Sequence, residues 1–88
     1  MNPINNEPIQ VDFNNCDEDY AVRLHLPCTI IDLDKLGLQL ADGQYIWVSD
    51  GEIEMKGTVT LRDGIWVAIP DEHGMQYVVD GADYRVGK

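Results

Sequence analysis

Alternating apolar and polar residues, punctuated by Asp-Gly pairs, dominate the second half of the chain. Across residues 52–62, Glu52, Glu54, Lys56, Thr58, Thr60 and Arg62 share one parity, and Ile53, Met55, Val59 and Leu61 share the other. A period of two marks a strand with one face in water and one on a core. Gly57 falls on the core parity in the middle of this run. A missing side chain there marks a bend, a bulge or the close approach of another strand. The pattern predicts that the chain curls at Gly57 and contributes to two sheets.

Asp-Gly supplies the positive φ angles that two-residue hairpins require. Asp42-Gly43, Asp50-Gly51 and Asp63-Gly64 therefore predict a meander of strands at 36–41, 44–49, 52–62 and 65–70. Residues 71–74 read as a loop returning the chain into a strand at 75–79, and Asp80-Gly81 precedes a short strand at 84–86. Upstream, residues 20–26 alternate with Val22, Leu24 and Leu26 on one face. Pro27 interrupts them, so 28–33 reads as a bent continuation or a separate strand. No useful apolar stripe of period 3.6 appears, which limits helix to one turn around 15–19.

These elements predict a single all-β domain over residues 1–88, with an acidic N-terminal segment at 1–19 and a hairpin meander at 20–88. Five to seven strands would form a small antiparallel meander, either an SH3-like partly open barrel or a two-sheet roll. The paired tryptophans and acidic-aromatic loop of peptide-binding SH3 domains are not present, so the likeness extends to architecture alone. A faint repeat places 38–43 and 46–48 beside 59–64 and 65–67. It sets Trp47 and Trp66 at equivalent positions.

Charge changes this picture most. Among 88 residues, 16 Asp/Glu against 6 Lys/Arg give a net charge of -10, and the pI is about 4.2. Phosphate backbones and anionic membranes both select clustered Lys and Arg, so direct nucleic-acid and membrane binding are not expected. The longest apolar run, 65–69, is far short of the roughly 18 residues a membrane-spanning helix needs. The first residues show neither a basic region nor an apolar one of the kind a secretory signal carries, which predicts a cytoplasmic protein with Cys16 and Cys28 as reduced thiols. Residues 1–22 carry Glu7, Asp12, Asp17, Glu18 and Asp19 and no Lys or Arg, and so hold half of the net charge. The turn aspartates have local structural reasons. The acidity from Glu7 to Asp19 has none in the pattern, and the run Asp17-Glu18-Asp19 reads as a solvated loop or as a contact for a basic partner.

Chemistry is thinly provided. Ser49, the only serine, sits at a turn, and nothing brings it near His25 or His73. Cys16, His25, Cys28 and His73 lack paired ligand spacing, and Asp32-Leu33-Asp34 fails as a calcium loop at Lys35 and Leu36. No catalytic residue, metal site or cofactor is expected. Aromatic residues are the better lead: Tyr45 and Trp47 lie opposite Ile46 and Val48, and Trp66 repeats the arrangement. Ile4, Ile9, Val11 and Phe13 would cover one tryptophan and leave the other for a partner. The structural alternative is that these aromatics are simply core.

The expectation is a non-enzymatic acidic interaction protein that docks a basic protein partner as an inhibitor, adaptor or nucleic-acid mimic. Its contact residues would be Tyr45, Trp47, Trp66, Asp17, Glu18 and Asp19. A homo-oligomeric structural protein and a small-ligand-binding barrel are the alternatives.

Overall fold

The computed structural model describes residues 2–77. Along the chain run β1 (Ile9–Gln10), β2 (Val22–Arg23), α1 (Pro27–Lys35), β3 (Tyr45–Ser49), β4 (Ile53–Arg62) and β5 (Ile65–Tyr77). The strands form one curled sheet, an open half-barrel, in the order β1-β3-β4-β5-β2. β1 pairs in parallel with β3, and every other pairing is antiparallel. The described residues thus form mostly strands, with one short helix. The curl occurs within a single sheet, where the pattern predicted two.

Alternation in β4 is realised as written. Met55 and Val59 are buried, and they share the inner face with Ile46 and Val48 of β3 and Ala68 of β5. Asp63 and Gly64 both take positive φ angles, 54° and 81°, which close the β4–β5 hairpin as a type I′ turn. Gly57 sits at a register shift: Met55 pairs with Met75, whereas Gly57 pairs with Pro70. The segment from Asp71 to Gly74, predicted as a hairpin loop, is a large bulge inside one 13-residue strand. The predicted strands at 65–70 and 75–79 therefore belong to the same element as far as Tyr77. Val78, Val79, Asp80-Gly81 and 84–86 lie outside the described residues.

Four further expectations are corrected. Residues 28–33 are helical, because Pro27 at the first helical turn lacks only an N–H that would go unpaired anyway. Thr29 and Leu33, four apart, supply the buried stripe, and Gly37 at φ 67° follows the helix end. The pattern hid this because Ile30 and Ile31 are both exposed and lengthen an apolar run that reads as strand. Residues 36–41 form no strand: Gly43 N–H donates instead to the Val59 carbonyl at 2.8 Å, so Asp42-Gly43 turns the chain onto β4. Strand structure at 20–26 shrinks to Val22–Arg23, and 15–19 forms no helix.

The N-terminal segment contributes to the core itself. Ile9 and Val11 are fully buried beside Val22, Leu24 and Leu33, with Phe13 packed against them. α1 docks on β1 through two side chains. Thr29 Oγ1 donates to the Gln10 carbonyl at 2.6 Å, and the Asp32 carboxylate accepts from the Gln10 N–H at 2.9 Å.

Candidate functional site

Directly paired residues share a face of the sheet. Tyr45 pairs with Thr58 and Trp47 with Lys56, which puts all four on the outer face, opposite Ile46 and Val48. Leu61 pairs with Trp66, on the parity of Val59 and Ala68. Trp66 therefore faces inward and packs against the core. The equivalence of the two tryptophans suggested by the repeat is overturned by this register, and Trp47 alone stands on the outer face.

Backbone partners fix this part of β3 on its free side. Ile4 N–H donates to the Tyr45 carbonyl at 2.8 Å. The Asn5 side chain, nearly fully buried, donates to the Trp47 carbonyl at 2.7 Å and accepts from the Trp47 N–H at 3.1 Å. One amide side chain thus imitates a strand partner. Nothing in the local pattern distinguishes Asn5 from Asn2 or Asn6, so the sequence carried no signal for it.

The β5 bulge opens a cleft of about 410 Å³ beside these aromatics, lined by Tyr45, Glu54, Lys56, Asp71, His73 and Gly74 among others. Tyr45 hydroxyl donates to one oxygen of Asp71, and the other accepts the His73 backbone N–H at 2.9 Å. The phenol hydrogen bond holds the Asp71 carboxyl below its ordinary range, and the same bond, with burial, raises the Tyr45 hydroxyl. Trp47 stands next to the lining. Its Nε1–H donates to Glu54 Oε1 at 2.8 Å, and Lys56 Nζ lies 5.4 Å from its ring centroid. Both lining carboxylates are thus oriented by neutral donors, with Lys56 as the one cationic side chain lining the cleft among the described residues.

Asp17 and Asp19 lie toward the other end of the outer face, where they meet Arg62. Lys56 and Arg62 are six residues apart on β4, roughly 20 Å. Asp17 contacts Arg23 at 2.9 Å and Arg62 at 2.8 Å, and Asp19 meets Arg62 at 3.1 Å. Hydrogen bonds from Arg62 come first among the causes that lower both carboxyls, with Arg23 second for Asp17. Their acidity therefore has an architectural reason: it ties the N-terminal loop to β2 and β4. Glu18 between them is exposed. Tyr20 closes this loop at φ 65°, 60% exposed, an unusual backbone state for a bulky residue.

Of the expected contact residues, the structure brings Tyr45 and Trp47 together, gathers Asp17, Glu18 and Asp19 at a separate end, and turns Trp66 inward. Asp71 and Glu54, absent from the expected set, join the aromatic pair; only the bulge register reveals Asp71. Cys16 and Cys28 are free thiols, with Cys16 Sγ donating to the Phe13 carbonyl at 3.1 Å. No cluster of metal-binding side chains occurs among the described residues. None of their helices is long and apolar enough to cross a membrane. The site defines a small β protein whose concave chemistry is aromatic and acidic. Comparison with known families, curated proteins and solved structures found no match.

Proposed function

We propose that this protein is a non-enzymatic interaction module of the cytoplasm that docks a basic protein surface on the outer face of an SH3-like, partly open barrel. One observation carries the reading: Tyr45 and Trp47 sit half-buried on the outer face with Glu54 and Asp71, carboxylates held by neutral donors rather than by arginine. Aromatic area supplies affinity in such a contact, and unneutralised carboxylates supply steering and orientation. Asp17, Glu18 and Asp19 form a secondary, largely self-compensated acidic end of the same surface, and Trp66 serves the core. Inhibitor, adaptor and nucleic-acid mimic are all roles this chemistry serves.

Affinity capture at two salt concentrations tests the proposal. A basic partner should be retained at low salt, lost at high salt, and lost from Trp47→Leu and Tyr45→Leu variants. Retention indifferent to salt and to both substitutions would overturn it.

A homo-oligomeric reading has one observation in its favour: β2 flanks only Val67 and Ala68, so residues 69–77 of β5 have no strand on that side among the described residues. A strict monomer in sedimentation at high concentration removes this reading.

A further inference from the structure

Trp47 carries its own cation. Lys56 is directly opposite it in the β3–β4 register, and the ammonium lies over the ring within the range at which a cation and an aromatic face attract. Lys56 also lines the cleft, together with Glu54 and Asp71. An aromatic face, two fixed carboxylates and an intramolecular cation beside one cleft are the parts of a cation-recognition site whose guest position is held by the protein itself.

We infer that the cleft receives an arginine side chain of the basic partner, and that Lys56 is an internal stand-in displaced from Trp47 when that arginine enters. This rests on the docking function proposed above and names the residue type that it recognises. A guanidinium fits better than an ammonium for two reasons. Its planar, weakly hydrated group stacks on indole, and its fork of N–H donors matches carboxylates. Glu54 has one oxygen on the Trp47 indole, and its other oxygen accepts no hydrogen bond among the described residues. Tyr45 and the His73 backbone hold Asp71 in place, so neither carboxylate must be ordered when the guest arrives.

Blocked tri-arginine peptide is the probe, with tri-lysine and tri-citrulline peptides as comparisons. The indole N–H resonance of Trp47 is the readout, and that of the inward-facing Trp66 is the internal reference for folding. Tri-arginine should shift the Trp47 signal saturably and bind more tightly than tri-lysine, whereas neutral tri-citrulline should leave it in place. Lys56→Met and Lys56→Gln should each tighten tri-arginine binding by roughly two- to fivefold, the scale of one exposed cation–π contact. Lys35→Met, which makes the same charge change on α1, should not. Equal binding of tri-lysine, an unmoved Trp47 signal, or an equal gain from Lys35→Met would overturn the inference. Should any of these occur while partner capture still depends on Trp47 and Tyr45, the docking proposal stands without it. If capture is indifferent to Trp47 and Tyr45, the docking proposal itself falls.

Discussion

Gly57 lies so close to Ile69 that a side-chain carbon on residue 57 would stand 2.7 Å from the Ile69 carbonyl carbon and 3.1 Å from the Pro70 Cα. Backbone cannot retreat as a flexible side chain can, so the sheet holds this register only with glycine there. Gly57→Ala should destabilise the protein by about 2–3 kcal/mol, although alanine in an unobstructed strand is favoured over glycine. Thermal denaturation checks this. An unchanged midpoint would mean that β5 does not approach β4 this closely.

The phenol of Tyr45 should titrate above its ordinary value, because ionising it places a second negative charge against Asp71. Phenolate absorbance against pH should contain a Tyr45 component above the ordinary value of 10.0, and Asp71→Asn should bring that component down. A raised folded value means stability in full below pH 10 and lost as pH rises beyond it.

Acid should loosen the other end of the outer face. Asp17 and Asp19 have folded values lowered by Arg62. Their contribution is therefore complete above the ordinary aspartate value of 3.8 and declines as pH falls from there through the lower folded values. The pair Asp17→Asn and Asp19→Asn should lower the urea midpoint at pH 6. The deficit should shrink as pH falls below 3.8 through the lowered folded values, since protonated carboxyls no longer pair with arginine.

Relief of strain is expected at Tyr20. Its backbone is in the left-handed region, where side chains other than glycine and asparagine are disfavoured by about 1–2 kcal/mol. Tyr20→Asn should raise stability by up to about 1 kcal/mol in urea unfolding. A loss would mean that the exposed ring makes a contact of its own.

Thr29 offers the clearest test of how the helix is held. Thr29→Val keeps shape and volume but removes the buried hydroxyl that donates to the Gln10 carbonyl at 2.6 Å, at a cost of about 0.5–1.5 kcal/mol, while Thr29→Ser should cost less.

Strands announced themselves where one face was dry and the other wet. β4 reads correctly because Met55, Gly57 and Val59 alternate with charged and hydroxyl residues, and Gly57 could be singled out because glycine on a core parity demands a neighbour. α1 escaped because its exposed isoleucines mask the Thr29/Leu33 spacing. Its boundary signals were nonetheless present: Pro27 at the start, Lys35 in the last turn and Gly37 beyond it. At the candidate site, parity paired Tyr45 with Trp47, but it could not show that Trp66 faces inward. That depends on the β4–β5 register, a long-range property. Asp17 and Asp19 looked unexplained because Arg62, their main partner, is more than forty residues away in the chain.

The hydrogen bonds from α1 to Gln10 reach beyond the helix that makes them. Both the donor and the acceptor of this edge residue end in side chains, so an incoming strand finds no backbone to read at Gln10. On β5, Pro70 has no N–H to offer and the bulge interrupts the regular repeat a guest strand would need. Among the described residues, these two points on the sheet borders are thus poor templates for another strand. Strand addition is thereby discouraged at Gln10 and at Pro70, and under the docking proposal the contact falls on the outer face, where Tyr45 and Trp47 stand.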